Sequence, residues 1–144
     1  PCKGDYFAIA PGVPLSFRQL IYPVPQQAGL GIHVTIDVSG RVRLGPDATY
    51  VDAIGFEVDA TQAAKFARAV ARFVPSIEAD WLVPDSAGVR PKLAAPDQPF
   101  RDFVICEESD RGKPGFVNLI GIESPGLTAA PAIAASVADL LAGL

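Results

Sequence analysis

Three places in this chain carry groups able to act on a small molecule: His33, Arg90 and the corner "GIESPGLT" at 121–128. His33 is the only histidine. An imidazole, with an ordinary pKa of about 6.5, can take and return a proton near neutral pH, which is the work of a general base. It shares a strand face with Thr35 and Asp37, opposite an aliphatic stripe, so taken alone it reads first as a hydrogen-bonded sheet histidine facing solvent. Arg90 stands in "AGVRPKL", where its guanidinium offers a two-pronged donor to a carboxylate; taken alone, the residue reads first as a surface or interface ion pair. Tyr22, in "LIYPVP", could lend a hydroxyl to a pocket or be a packed aromatic. At the corner an apolar run, "VNLIGI", stops and a helix starts near Leu127. Such a start presents unpaired N–H groups and the positive end of the helix dipole. With no side chain on Gly126, an anionic or electron-rich ligand atom could rest on that backbone. A tight strand-to-helix turn accounts for the same residues. The acidic run Glu107-Glu108-Ser109-Asp110 reads as a solvated turn.

The elements that must position these groups follow from pattern. Asp5–Ala10 reads as a strand closed by Pro11-Gly12, and Arg18–Val24 as a second whose far end is demoted by Pro23 and Pro25. "GIHVTIDVSGRVRLGP" is a hairpin: Ile32, Val34, Ile36 and Val38 alternate with His33, Thr35 and Asp37. A two-residue turn would set Ile36 against Arg43. A three-residue loop, Val38-Ser39-Gly40 with Gly40 left-handed, sets Asp37 against Arg41, Ile36 against Val42 and Val34 against Leu44, which keeps both faces consistent. From Asp59 the period becomes helical: Phe66, Val70, Phe73 and Val74 share a face, Asp59 or Thr61 caps, and Pro75 helps to end it. Ile77–Leu82 suggests a short helical turn. Residues 87–93 read as a strand, 94–99 as a Pro-rich loop, and 102–108 with 116–122 as an antiparallel pair. Ile133, Val137, Leu140, Leu141 and Leu144 form the expected buried stripe of a last helix, with Pro131 near its start.

Bulk properties narrow the function. The 144 residues suit one modest domain with a real core, and 49% hydrophobic content argues against disorder. A net charge of −4 disfavours a nucleic-acid partner, which needs a basic footprint. No apolar run approaches the roughly 18 residues of a membrane span. Cys2 and Cys106 form no CxxC and read as free thiols; with one histidine they make no ordinary zinc site. The chain starts at Pro1, lacks Met and enters a strand at once. The expectation is a carboxyl-terminal piece of a longer protein, with localisation open between the cytoplasm and the periphery of an inner membrane.

In combination the motifs "KGDYF", "LIYPVP", "GIHVTIDVSGRVRLGP", "AGVRPKL", "DFVI" and "VNLIGIESPGLTAAPAIA" resemble, in this order, the C-terminal part of FAD-dependent oxidoreductases of the D-amino-acid-oxidase superfamily, closest to the L-2-hydroxyglutarate dehydrogenase/oxidase branch. The resemblance runs from about Lys3 to the end. The GxGxxG phosphate cradle that opens such enzymes is missing, since "GLGI" lacks its spacing and following helix. The resemblance therefore implies an α+β fold in two parts. Residues 1–86 would supply an antiparallel or mixed substrate-binding sheet with a covering helix. Residues 87–144 would supply the closing strand–helix segment of a FAD-binding, Rossmann-like domain.

It also implies roles. FAD would lie against Ser124, Pro125, Gly126, Leu127 and Thr128, where peptide N–H groups favour the charge that gathers at the pyrimidine end on reduction. Arg90 would pair with the carboxylate of a small 2-hydroxy acid, His33 would take the hydroxyl proton, and both would face one cavity near the last helix. Tyr22 would shape the pocket, and Lys92 is a candidate second clamp for a dicarboxylate. The partners implied are a small carboxylate substrate, the remainder of the polypeptide, and oxygen or a quinone as electron acceptor. Rival expectations are an amine or amino-acid oxidase, a glycerol-3-phosphate dehydrogenase, or a non-catalytic sheet module that binds a protein.

Overall fold

The computed structural model describes residues 1–24 and 31–143. The hairpin of β2 (His33–Ile36) and β3 (Val42–Gly45) follows directly from the alternating pattern of the sequence. Ile36 faces Val42, Val34 faces Leu44 and His33 faces Gly45. Asp37 N donates to Arg41 O at 3.0 Å and Gly40 N to Asp37 O at 2.9 Å, with Gly40 at φ +82°. This is the three-residue loop. Asp37 ties it shut: one carboxylate oxygen accepts from the Ser39 and Arg41 N–H groups, each at 2.9 Å. Those bonds and Ser39 Oγ, first of all, hold its pKa down to about 2.

β1 (Cys2–Ile9) is the strand on which the sheet is built. It pairs antiparallel with β3 through Phe7↔Leu44 and with β4 (Thr49–Tyr50) through Cys2↔Tyr50 and Lys3↔Thr49. β5 (Leu82–Arg90) pairs with β1 as well. β1 therefore starts at Cys2 rather than Asp5, because β4 supplies partners that no local pattern announces. The strand expected over 18–24 reduces to one bridge, Ile21↔Val34; Pro23 has no N–H to extend it, and Pro25 lies outside the described residues. Ile77–Leu82 likewise shrinks to a single 3₁₀ turn at Ala79–Trp81.

β5 runs longer toward the N-terminus than expected and stops before Pro91. Its polar stretch Pro84-Asp85-Ser86 is tolerated because the Asp85 carboxylate is ion-paired with Arg41 and, at 3.3 Å, with Arg43 Nε. Below the sheet lies α1 (Ala63–Val70), entered through a turn in which Asp59 accepts from Thr61 N at 2.9 Å. Phe66, Val70 and Val74 join Phe7, Val34 and Leu44 in one buried cluster, and Phe73 packs against it half-buried. The Phe7 and Phe66 rings sit 4.6 Å apart.

The chain divides into two units, one of Cys2–Val89 and one from Arg90 onward. In the second unit β6 (Val104–Glu108) pairs antiparallel with β7 (Lys113–Ile120), Cys106 facing Asn118. α2 (Gly126–Ala142) follows and packs on β6. The expected buried stripe of α2 is only partly realised. Ile133 and Val137 are half-buried, while Leu140 and Leu141 are 36% and 43% exposed. Two strands are too few to cover a 17-residue helix. Leu144 lies outside the described residues.

Candidate functional site

His33 is not a solvent-facing sheet residue. It is 6% exposed, because a second segment covers its face. Ile21 N donates to Val34 O at 3.3 Å and Val34 N to Ile21 O at 2.9 Å. This clamp brings the next residue, Tyr22, onto the imidazole, with ring centroids 4.5 Å apart and planes at 26°. His33 Nδ1 lies 3.0 Å from Gly31 O. Tyr22 keeps half of its surface in solvent, so the pair forms a half-open polar and aromatic surface on the first unit. Sequence reasoning named both residues but not their contact, since nothing local joins positions 22 and 33.

Arg90 closes β5 and opens the second unit. Its side chain is half-buried and forms no ion pair among the described residues. Lys92 differs: its ammonium lies 2.8 Å from Glu123 Oε1, both side chains being mostly buried. That pair neutralises Lys92 beside the corner, and Glu123 is a residue that sequence reasoning left without a role.

The corner forms an open hollow of about 390 Å³ lined by residues 122–128, so Ser124, Pro125, Gly126, Leu127 and Thr128 all border it. Gly126 N donates to Glu123 O at 2.6 Å, and Ala129 N to Pro125 O at 2.9 Å. The N-cap is Pro125, and no side chain caps the helix, so the Leu127 and Thr128 N–H groups stand ahead of the helical ladder. The absence of a side chain at Gly126 has a packing cause. A Cβ on Gly126 would stand 2.4 Å from Ile122 Cγ2, which is the tight packing of an ordinary turn. Ser124, Leu127 and Thr128 nevertheless remain exposed, Leu127 at 93%. Backbone donors, a helix dipole and an apolar lip suit a flat, electron-rich group.

The acidic run is only partly a solvated turn. Glu108 is buried and collects Asn118 Nδ2, Cys106 Sγ at 3.3 Å and Arg111 Nε at 3.2 Å. Asn118 above all holds its carboxylate below the usual range, and the bond to Glu108 pushes the Cys106 thiol up. Glu107 accepts from the Ser109 and Gly115 N–H groups at 2.8 and 2.6 Å. These carboxylates fasten the β6–β7 turn.

Comparison with known proteins gives a consistent result. The family model described as "FAD dependent oxidoreductase" (DAO) matches residues 1–140. A mitochondrial L-2-hydroxyglutarate dehydrogenase of Arabidopsis thaliana is 38% identical over 95% of this chain and 30% of its own length. A glycerol 3-phosphate dehydrogenase of Caloramator mitchellensis is 32% identical over 98% of this chain and 28% of its own. Among solved structures, a dithionite-reduced L-α-glycerophosphate oxidase from Mycoplasma pneumoniae with FAD bound superposes on 97% of this chain with TM-score 0.73 and 28% identity. The chain spans 35% of that structure, and so about a third of the length of the proteins it matches.

Proposed function

The chain belongs to the FAD dependent oxidoreductase family, and from that premise we propose that the intact protein oxidises a small 2-hydroxy acid, of the L-2-hydroxyglutarate kind, to the 2-oxo acid with FAD as cofactor. FAD, when bound, accepts the hydride from the carbon that bears the hydroxyl. Everything else falls to the polypeptide. Residues 124–128 fit the cofactor's electron-rich edge, because the uncapped start of α2 offers the Leu127 and Thr128 N–H groups beside an open hollow. Arg90 binds the carboxylate next to the reacting carbon through its two-pronged donor. Lys92 serves a second carboxylate by exchanging its Glu123 partner.

The observation that carries the reading is His33. Oxidising an alcohol requires a group that takes the hydroxyl proton, and this chain holds an imidazole under Tyr22 and against Gly31 O. An amine substrate has less need of such a base. The similarity to the Arabidopsis dehydrogenase supports the 2-hydroxy acid. A second reading, glycerol 3-phosphate as substrate, is supported by the match to the Mycoplasma pneumoniae structure; Arg90 would then hold a phosphate.

The test is anaerobic addition of substrate to the intact flavoprotein. L-2-Hydroxyglutarate should bleach the flavin absorbance at far lower concentration than glycerol 3-phosphate or sarcosine. Bleaching by glycerol 3-phosphate alone transfers the assignment to the second reading. Bleaching by sarcosine alone removes the alcohol chemistry altogether.

A further inference from the structure

A carboxylate borders the hollow at the start of α2, where unpaired peptide N–H groups and the helix dipole gather positive potential. Glu123 is the one charged residue among residues 122–128 that line it. An anionic side chain there works against an electron-rich ligand edge unless its charge is met. Lys92 meets it: its Nζ lies 2.8 Å from Glu123 Oε1, with the two side chains 20% and 11% exposed. Solvent and salt screen a pair so covered only weakly. Removing either partner therefore leaves the other's charge acting on the hollow. The neighbours of the pair hold it in register. A side chain at Gly121 would run into Leu93, so the residue after Lys92 packs two positions ahead of Glu123. Glu123 O accepts the Gly126 N–H at 2.6 Å, which ties the same residue to the first turn of the helix.

We infer that Lys92 is a positioning residue that tunes the reduction potential of the bound flavin by cancelling the charge of Glu123. The corner then presents only the positive start of α2 to the cofactor's electron-rich edge. This rests on the placement of FAD against residues 124–128 proposed above. Reduction gathers negative charge at that edge, so a bare Glu123 carboxylate disfavours the reduced form and a bare Lys92 ammonium favours it. The pair is intact before any substrate carboxylate takes Lys92, and the potential of the substrate-free protein reports on it alone. One unit charge, acting through the effective dielectric of about 20 near a protein surface, changes the ratio of reduced to oxidised flavin on the order of tenfold. For a two-electron couple that is about 30 mV.

The experiment is a dithionite titration of the intact, FAD-loaded protein without substrate, read against a redox dye of known potential. Lys92→Met should lower the flavin potential by about 30 mV and Glu123→Gln should raise it by a similar amount. Lys92→Met combined with Glu123→Gln should return it close to the wild-type value. An unchanged or raised potential in Lys92→Met overturns the inference. So does a double variant that stays as low as Lys92→Met, since the pair then acts through shape and not through charge. Should Lys92→Met fail to fold or to hold FAD, Glu123→Gln decides, and an unchanged or lowered potential there overturns the inference as well. The placement of FAD is judged separately by Leu127→Lys at the 93% exposed lip of the hollow, where a new cation should raise the potential. A raised potential in Leu127→Lys, with no shift in Lys92→Met or Glu123→Gln, keeps FAD at the corner and refutes the role of Lys92. No shift in any of the three removes the cofactor from the corner, and the inference falls with that placement.

Discussion

Two glycines of the β2–β3 hairpin have positive φ, and replacing each with alanine should have very different consequences. Gly40 (φ +82°) has nothing within 4 Å of a new Cβ, so Gly40→Ala meets only the left-handed penalty of an L residue, about 1–2 kcal/mol. Gly45 (φ +137°) would place its Cβ 2.6 Å from Asp5 O and 3.2 Å from Tyr6 Cα. Both are backbone atoms that cannot swing aside, so β3 and β1 must part. The same movement stretches the bond from Asp47 N to Asp5 O at 3.3 Å and the one from Asp5 N to Asp47 Oδ1 at 2.9 Å. Adding a neutral bond of about 0.5–1.5 and a charge-assisted one of about 1.5–3 kcal/mol to the conformational penalty gives about 3–6 kcal/mol for Gly45→Ala. A whole domain has about 5–15 kcal/mol of stability. Urea unfolding of the 144-residue chain at one fixed, low protein concentration, followed by its single tryptophan, suits the purpose, since Trp81 O accepts the Ala10 N–H at the end of β1. With a slope of about 2 kcal/mol per M, the midpoint should fall by about 0.5–1 M for Gly40→Ala and about 1.5–3 M for Gly45→Ala. Because Gly45 faces His33 across the ladder, its substitution should also slow flavin reduction in the intact protein. Equal midpoints for the two variants would refute the claim that the sheet closes against Gly45.

In the intact protein, His33→Ala should slow flavin reduction about 10²- to 10⁴-fold while leaving substrate affinity nearly unchanged. Arg90→Ala should weaken binding by about 1.5–3 kcal/mol, roughly 10- to 150-fold; stopped-flow reduction across substrate concentrations separates the two effects. Asp37, with its pKa depressed to about 2 from 3.8, contributes stability that is present above pH ~4 and lost as pH falls toward 2. Acid titration of the wild type should show this loss, and Asp37→Asn should lack it. The isolated 144-residue chain, which exposes Phe116 and Leu127, should purify colourless and self-associate. Light scattering that reports a monomer, or a flavin spectrum in the eluate, would contradict this.

What could be read in the sequence was what local pattern and stereochemistry control. The hairpin register followed from keeping Ile36 away from Arg43, and α1 from the spacing of Phe66, Val70 and Val74. The corner was legible because residues 124–128 are contiguous, so one turn forms the hollow. What escaped is created by distant pairing. β4 and the start of β1 exist through each other. β5 looks broken at Asp85 until Arg41 and Arg43 supply the counter-charge. His33 looks exposed until Tyr22 arrives from another segment, and Glu108 looks solvated until β7 brings Asn118 opposite Cys106.

The placement of β1 has a kinetic consequence. The first strand of the chain cannot complete its ladders until β3, β4 and finally β5, ending at Arg90, have been made. The β2–β3 hairpin closes a loop of three residues and can form within microseconds, whereas joining β1 to it requires closure of a much longer loop. During that wait an apolar strand with both edges unpaired is available to neighbouring chains. Refolding yield of the 144-residue chain should therefore fall with protein concentration.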